Sequence, residues 1–439
     1  GEKSGGEIIR LLSTYIARSG EAELPAAVIR KAKHHILDTL GAIICGSGLK
    51  PGRLAKKFAG QQGGAREAQV AGSPVVTTAI HAAFAMAMMA HSDETDDSHE
   101  RAGMHPGCGI VPAALAVAER EGADGSRFLR GVVAGYDIGC RITQALGVEN
   151  VRRRALSLHG IGSNFGAAAA AASVMGLKED LVRYVWDYTA QQDSGKYYWV
   201  RDTDHVEKAF VFAGMGARNG VTSAILVQSG FTGVADVFSG ENNYFESFSP
   251  GVRPELLIEE LGSRYEIELT DIKKFSVGAP IQAPLDALLI LRGKHGLTAA
   301  NVQSMIAHVP DDRVMIVRDR NMPDVDLKHV LAVALIDGDI TFETSHSFER
   351  MKDQAVLEVR NRITLVGDPE LRTAKIKRGG IVEITTTDGA RLREHVELVR
   401  GRPGNPMSDQ EIEQKCTDLM RPVLGEERTK NLIDQVWNL

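Results

Sequence analysis

The stretch AFAMAMMAHSDETDDSHERAGMHPGCGIVPAALAVAER, residues 83–120, joins two apolar segments through a dense polar loop. Small apolar side chains recur at helical spacing in both segments, which predicts closely packed, buried helices. Four carboxylates and three imidazoles of this loop are the candidate functional groups: Asp93, Glu94, Asp96, Asp97, His91, His99 and His105. This concentration of ionisable groups beside apolar helices breaks local sequence rules, which indicates a functional site. A solvated acidic loop is the alternative interpretation.

Helical periodicity extends outward from this stretch over residues 1–264. A helix is expected to begin at Ser73-Pro74, a suitable N-cap and first turn, and to end near residue 92. The segment FGAAAAAASVMGL, residues 165–177, predicts a helix packed very close to its neighbours. The lone G-x-G in AGMGARNG, residues 213–220, is interpreted as helix packing rather than as a phosphate loop.

The sequence pattern changes near residue 265. β-branched residues and partial alternation predict strands in RYEIELTDIKKFSV (264–277), VQSMIAHVP (302–310), RITLVGD (362–368) and GGIVEITTTDGARLREHVELVRG (379–401). Helical pieces lie between them, and the tail opens with a capping-box pattern, Ser408-x-x-Glu411. The predicted fold class is mostly α: a large all-helical domain (1–264 and 403–439) plus a smaller α+β domain (265–402).

Composition excludes several classes of protein. The chain has 439 residues with 51 basic and 57 acidic side chains, a net charge of −6, so it lacks the basic footprint of a nucleic-acid-binding protein. No uninterrupted apolar run reaches the ~18 residues of a membrane span. The start, GEKSGGE, is interpreted as a trimmed or tagged terminus rather than a signal peptide. Four scattered cysteines without a C-x-x-C pair predict a reducing, cytoplasmic setting.

Two histidines are predicted to precede helices, His105 before Pro106-Gly107 and His159 before Gly160. The positive end of a helix favours a bound carboxylate and disfavours imidazolium, which suits a neutral histidine base. A metal site built from the loop carboxylates and imidazoles is the competing hypothesis. Because neither H-E-x-x-H nor another tight ligand spacing occurs, no metal site is expected.

The blocks DETDDSH, HPG and VPAALAVAE resemble the D-F-D-D-T-H…H-P-S…P-A-L-A-x-A-E block of the 2-methylcitrate dehydratase (MmgE/PrpD) family. The resemblance continues in order at LHGIGSNFGAAAAAASVMGL, EKAFVFAGMGARNGVTSAILVQSGFTG and KKFSVGAPIQAPLDALL. It implies a homodimer whose subunits combine a helical domain with an α+β lid. It also implies cofactor-independent chemistry on small di- and tricarboxylates, as in 2-methylcitrate dehydratase, cis-aconitate decarboxylase and iminodisuccinate epimerase.

The resemblance also carries site residues to this chain. It implies catalytic roles for His105 and His159 as base and acid, and for Lys208. Asp96 or Asp97 is expected either to orient an imidazole or to act directly if burial raises its pKa. Substrate contacts are implied at the acidic and hydroxyl positions of the loop and at the lid: Glu94, Ser98, Lys273, Gln282 and His329. Arg201 is a further candidate for binding a substrate carboxylate.

Three positions depart from the family pattern. Gln282 stands where His is usual, His329 where Tyr is frequent, and Leu156 where an Arg commonly precedes the second histidine, although Arg153 and Arg154 are near. The first hypothesis is therefore a lyase acting on a small polycarboxylate by dehydration or decarboxylation. An epimerase of an imino- or amino-dicarboxylate is the close alternative. A non-catalytic carboxylate-binding relative and a metal-dependent hydrolase remain as further alternatives.

Overall fold

The computed structural model describes residues 2–439, with side chains from residue 6 onward. The backbone divides into two compact units. The first unit comprises the residues up to 92, residues 96–271 and residues 408–439, and the second comprises residues 93–95 and 272–407. The sequence predicts domain boundaries after residues 264 and 402, whereas the two units of the structure divide after residues 271 and 407.

The first unit is predominantly helical. Its helices up to residue 228 are α1 (Glu2–Ser19), α2 (Ala26–Gly46), α3 (Lys50–Gln62), α4 (Ala79–Ala90), α5 (Gly107–Glu121), α6 (Gly125–Leu146), α7 (Val148–Arg153), α8 (Leu158–Met175), α9 (Glu179–Gln191), α10 (Val206–Ala209) and α11 (Met215–Gln228). Two short strands, β1 (Ala68–Gln69) and β2 (Val76–Thr77), pair antiparallel.

Helix α8 is packed as tightly as its alanine run predicts, and residues 167–172 are fully buried. A Cβ atom on Gly220 of α11 would lie 2.5 Å from the backbone nitrogen of Ala168. A Cβ atom on Gly139 of α6 would lie 2.7 Å from the carbonyl oxygen of Gly162. Both neighbours therefore approach the α8 backbone where only hydrogen fits, which confirms the packing interpretation of both glycine-rich segments.

The predicted start of α4 is wrong. Ser73-Pro74 lies in a turn, and Val76 and Thr77 pair with β1 before the helix begins at Ala79. Thr78 is the N-cap, and its hydroxyl accepts from the His81 backbone N–H at 3.3 Å. The β-branched run favours a strand over a first helical turn, which explains the later start. The helix ends at Ala90 with His91 as its C-cap, close to the expected end.

The second unit is α+β, as predicted. Its helices are α12 (Gln282–His295), α13 (Val314–Val317), α14 (Leu327–Asp337), α15 (Phe342–Ser345), α16 (Gln354–Arg360) and α17 (Pro369–Thr373). Its strands are β3 (Val302–Pro310), β4 (Ile363–Asp368), β5 (Gly380–Thr386) and β6 (Arg391–Val396).

These four strands form one sheet in the order β4-β3-β5-β6, in which β3 and β4 are parallel and the other pairs antiparallel. Met305, Ala307 and Val382 are buried in the core that the sheet shares with α12 and α14. The D-G turn signal is confirmed, since Gly389 connects β5 to β6 with φ of +88°.

The predicted strand at residues 264–277 is wrong. The segment forms a 3-10 turn at Glu266–Leu269, and the Glu266 backbone N–H donates to Asp137 Oδ1 at 2.8 Å. The Asp137 side chain of α6 thus accepts the hydrogen bond that the Glu266 N–H would otherwise donate to a neighbouring strand. The one ladder-type contact of the segment is an isolated bridge between Ser98 and Asp271.

The chain returns to the first unit through α18 (Asp409–Leu424) and α19 (Glu426–Trp437). The predicted capping box is confirmed, since Ser408 and Glu411 each satisfy the other's backbone N–H. The stretch Val206–Gln228 is long and apolar enough for a membrane span by length and composition. However, 72% of its most apolar window is buried inside the chain, as in the core helix of a globular protein.

Candidate active site

Two imidazoles share the carboxylate of Asp96 in the loop between α4 and α5. His91 Nδ1 lies 3.0 and 2.9 Å from the two oxygens of Asp96, and His105 Nδ1 lies 3.3 Å from Oδ2. Both Asp96 and His91 are fully buried. The end of α4 supplies one imidazole and the approach to α5 the other, so the loop brings together groups that are well separated in sequence.

Burial raises the pKa of a carboxyl group, yet the attraction of His91 and His105 holds the pKa of Asp96 well below its usual value. For His91 burial dominates and lowers the pKa to about 4, against the pull of Asp96. At neutral pH, Asp96 is therefore ionised and His91 is neutral. Because a carboxylate only accepts hydrogen bonds, this geometry favours a proton on Nδ1 of each imidazole and a lone pair on Nε2.

Asp97, the adjacent carboxylate, has a different environment. Its oxygens accept from the Gly107 backbone N–H at 2.9 Å, from His35 Nδ1 at 2.6 Å and from the Tyr136 hydroxyl. All of these groups are buried. Asp97 therefore links α2, α6 and the start of α5 through hydrogen bonds. It also occupies one N–H at the helix end where a substrate carboxylate was expected.

His159 lies inside the first turn of α8, which begins at Leu158, and not before the helix as predicted. Its ring stacks on Phe212, with centroids 3.5 Å apart and planes 12° apart. The centroids of His105 and His159 are 5.5 Å apart. The two histidines carried over from the family pattern therefore lie side by side.

The segment leading into α11 closes the other side of this cluster. Its Phe210–Gly214 turn is a π-helix, a feature frequent at functional sites. His205 precedes α10 with φ of +65°, and its ring centroid lies 5.0 Å from that of His91. The nearly buried Lys208 places Nζ 5.1 Å from the centroid of Phe212, within cation–π range.

Phe212 lies between two imidazoles. The His91 ring is also stacked on it, with centroids 4.5 Å apart and planes 12° apart. Two rings at these distances would overlap on one face, so His91 and His159 take opposite faces of Phe212. Trp199 meets the same phenyl ring edge-on at 4.6 Å. This aromatic wall fixes the planes of both imidazoles.

Two other predicted residues of the first unit lie differently. Ser98 is buried, and its backbone N–H donates to the Asp271 carbonyl at 3.0 Å. Arg201 is exposed at the end of the 3-10 helix Tyr197–Arg201, with its guanidinium over the ring of Tyr198. The structure therefore groups the candidate base, acid, carboxylate and lysine, but leaves Arg201 at the surface.

In the second unit, Lys273 holds the 93–95 segment. Its Nζ donates to the Glu94 carbonyl at 2.7 Å and lies 3.6 Å from a carboxylate oxygen of Glu94. Asp93 is paired with His346 at 2.7 Å. Burial would lower the pKa of His346, but Asp93 and Asp324 raise it to about 9.

The two positions of the second unit that depart from the family pattern are both buried in it. The Gln282 amide bonds only to backbone, accepting from the Phe275 N–H at 3.2 Å and donating to the Phe275 and Val277 carbonyls at 2.9 Å. His329 follows the N-cap Asp326 in α14, and burial lowers its pKa to about 4. Gln282 therefore stabilises the backbone of its own loop, and His329 is a neutral buried imidazole.

Sequence reasoning assigned no particular site role to four groups of this cluster: His91, His205, Trp199 and Phe212. His91 stands in the polar loop and His205 stands three residues before Lys208, so both carried a signal in the sequence. The two aromatic residues carried none, because an aromatic residue in a helix is usually core. Only the π-helical turn brings Phe212 between the imidazoles.

Among the described residues, His91, Asp96 and His105 offer ligand atoms within 4.8 Å of one another. Two imidazoles and a carboxylate form a donor set for divalent transition metals. The separations of 2.9 and 3.3 Å are those of direct hydrogen bonds and ion pairs, which account for the arrangement by themselves. The wider cluster, with two adjacent imidazoles and a buried lysine, suits acid–base chemistry on an anionic ligand.

Comparisons with known proteins show the family to which the chain belongs. The profile of the MmgE/PrpD N-terminal domain matches residues 10–257, and that of the MmgE/PrpD C-terminal domain matches residues 275–439. The chain therefore belongs to the MmgE/PrpD family, which confirms the resemblance read from the sequence.

Individual relatives are distant but match along nearly the whole chain. A cis-aconitate decarboxylase-like protein, oryM, from Aspergillus oryzae is 22% identical over 99% of this chain and 95% of its own length. The cis-aconitate decarboxylase of Homo sapiens is 22% identical over 94% of this chain and 87% of its own. That of Mus musculus is 22% identical over 95% and 87%.

Proposed function

We propose that this protein is a cofactor-independent lyase that acts on a small di- or tricarboxylate, by dehydration or decarboxylation through a carbanion-like centre beside a carboxylate. Family membership and the named decarboxylases support an enzyme of the lyase type. The proposal includes a homodimer in the cytoplasm.

One observation carries the proposal: His105 and His159 lie 5.5 Å apart between ring centroids, and Asp96 stands behind His105. With a proton on Nδ1, His105 offers the Nε2 lone pair as a general base. His159 then acts as the acid. In a dehydration, His105 takes the proton beside the carboxylate and His159 protonates the leaving hydroxyl. In a decarboxylation, the carbon–carbon bond breaks with release of CO2, and the acid protonates the remaining carbon.

Lys208 supplies the positive charge that such a reaction needs. Its ammonium is nearly buried against Trp199 and Phe212, with centroid distances of 5.6 and 5.1 Å. A cation in a site from which water is largely excluded stabilises developing negative charge more strongly than one in solvent. We assign Lys208 to the substrate carboxylate whose charge grows as the adjacent carbon becomes carbanion-like, and Ser98 to a substrate oxygen.

Proton NMR in D2O tests the proposal, with citrate, 2-methylcitrate, cis-aconitate, malate, tartrate, aspartate and iminodisuccinate as substrates. Parallel reactions are run with and without a chelator, and none contains an added cofactor. New vinyl signals from one of these acids are the expected result and identify the substrate. Turnover that disappears with the chelator would instead favour a metal-dependent enzyme. A silent panel with ligand-induced thermal shifts would favour a non-catalytic carboxylate-binding relative.

Single-residue variants then test the assignment. His105→Ala and His159→Ala are each expected to abolish turnover while leaving the folded state intact, since neither ring belongs to the apolar core. His295→Ala removes an exposed imidazole at the end of α12 and is the matched control, expected to match the native rate. Near-native rates in both site variants would contradict the assignment.

The paired imidazoles also favour a second candidate, an epimerase of an imino- or amino-dicarboxylate. Two proton-transfer groups on either side of one carbon are what epimerisation requires, and the departures at Gln282 and His329 alter the lid pattern of the dehydratases. Exchange of a Cα proton for deuterium with the carbon skeleton intact would establish this activity in the same NMR experiment.

A further inference from the structure

The proposed base shares Asp96 with a second imidazole that holds the carboxylate more closely. His91 Nδ1 contacts both oxygens, at 2.9 and 3.0 Å, whereas His105 Nδ1 contacts only Oδ2, at 3.3 Å. The His91 side chain is fully buried, and that of His105 is 12% exposed. The stronger of the two contacts therefore belongs to the imidazole that is further from solvent.

His91 is held rigidly by its surroundings. Its backbone N–H donates to the Ala87 carbonyl at 3.2 Å as the C-cap of α4, and its ring lies against one face of Phe212. His159 covers the other face of that phenyl ring. A ring packed in this way keeps one orientation, so the direction of the Nδ1–H bond is defined before any substrate binds.

The contacts of His91 restrict what it can do. Among the described residues, Asp96 is the one hydrogen-bonding partner of the ring, and Nε2 has none. Any effect of His91 on the reaction through hydrogen bonding therefore passes through the carboxylate of Asp96. A carboxylate held by a rigid donor presents its remaining lone pairs in a fixed direction.

We propose that His91 is a positioning residue: by donating Nδ1–H to Asp96 it orients this carboxylate, and through it the ring plane and the Nδ1–H tautomer of His105. The proposal rests on the proposed function, in which His105 is the base. Loss of the outer hydrogen-bond partners of metal-binding histidines typically lowers affinity or activity about 10- to 100-fold, and we expect a loss of the same order here.

Two substitutions separate this role from a purely structural one. His91→Leu removes the donor and keeps apolar volume against Phe212, whereas His91→Asn keeps an N–H donor close to the position of Nδ1. We expect His91→Leu to lower kcat about 10- to 100-fold with little change in KM, and His91→Asn to restore most of the loss. The second variant also serves where the first fails to fold.

The chain offers a matched control in His35, which donates to Asp97 with the same burial, at 2.6 Å. His35→Leu and His35→Asn are expected to change the Tm without changing kcat of the folded enzyme. Low-field proton NMR of the Nδ1–H signals gives a readout that does not depend on turnover. The signal of His105, assigned by its loss in His105→Ala, should shift in His91→Leu and recover in His91→Asn.

The outcomes distinguish the two proposals. An altered His105 signal without turnover on any acid would sustain the positioning role and contradict the proposed function. Native kcat and an unchanged His105 signal in folded His91→Leu would overturn the positioning role and leave the proposed function standing. Equal loss of activity in folded His91→Asn and His91→Leu would also overturn it, since the ring itself would then be required.

Discussion

Asp96 and Asp97 are neighbours in sequence and both accept from a buried imidazole, but their surroundings differ. The partners of Asp97 come from three helices and from the backbone, through His35, Tyr136 and Gly107. The partners of Asp96 are His91 and His105, which lie beside further imidazoles and a lysine. The comparison teaches that a His–Asp pair indicates chemistry only where the imidazole meets other reactive groups; elsewhere the same pair joins helices.

The sharpest test of this contrast is Asp96→Asn. The amide can donate to an imidazole and would stabilise the wrong tautomer of His105, so we expect kcat to fall about 10³- to 10⁴-fold, as for the orienting carboxylate of a catalytic triad. Steady-state kinetics on the substrate found by NMR measures the loss. A decrease in kcat of less than tenfold would contradict a role for Asp96 in catalysis.

The companion variant, Asp97→Asn, should act on stability. Replacing the carboxylate with an amide removes one of the two oxygens that accept from the buried His35, Tyr136 and Gly107 donors. Leaving a buried donor unsatisfied costs about 1–3 kcal/mol. Urea unfolding should show the decrease, while kcat of the folded fraction stays near the native value. A large kcat loss at unchanged stability would place Asp97 with Asp96.

A third carboxylate of the loop, Asp93, extends the comparison through pH. Asp93 raises the pKa of His346 to about 9, and this pairing lowers the pKa of Asp93 against the effect of burial. The contribution of protonated His346 to the free energy of unfolding is therefore complete below its unfolded pKa of about 6.5. This contribution is lost as the pH rises through 9.

We expect the free energy of unfolding to decline between about pH 6.5 and 9, by a few kcal/mol, and the decline to flatten in His346→Gln. Below this window, stability falls again as Asp93 protonates. Urea titrations at a series of pH values measure both limbs. An identical slope in native protein and variant would show that the pair does not control this dependence.

The smallest effect is expected at Gln282, a position of the second unit that departs from the family pattern. Gln282→Ala removes amide hydrogen bonds to the backbone of Phe275 and Val277, which should lower the unfolding free energy by about 1–3 kcal/mol. Because the hydrogen bonds of the amide are all made within its own loop, kcat should change by less than about twofold. A tenfold change in kcat would correspond to about 1.4 kcal/mol, so the expected kinetic effect is well below that value. A larger kinetic effect would assign Gln282 to the substrate.

Much of this organisation could be predicted from the sequence. Periodicity located the buried helices, the D-G signal located the hairpin at Gly389, and the Ser-x-x-Glu pattern located the capping box at Ser408. These features depend on neighbours within a few residues. The order of motifs also identified the family. Errors occurred where a local signal competed with a distant partner: Val76 and Thr77 pair with β1, and the Glu266 N–H bonds to Asp137 of α6.

Residue types and their spacing were sufficient to establish a mostly helical chain with an α+β unit, its MmgE/PrpD membership, and an imidazole–carboxylate loop as the place of interest. Only the tertiary structure decides that Asp96 contacts two imidazoles while Asp97 joins helices, that His91 belongs to the cluster, and that Phe212 separates two histidines. The reason is physical: burial and hydrogen-bond direction depend on groups from five helices and a π-helical turn, and no linear pattern records which of two adjacent side chains points toward which partner.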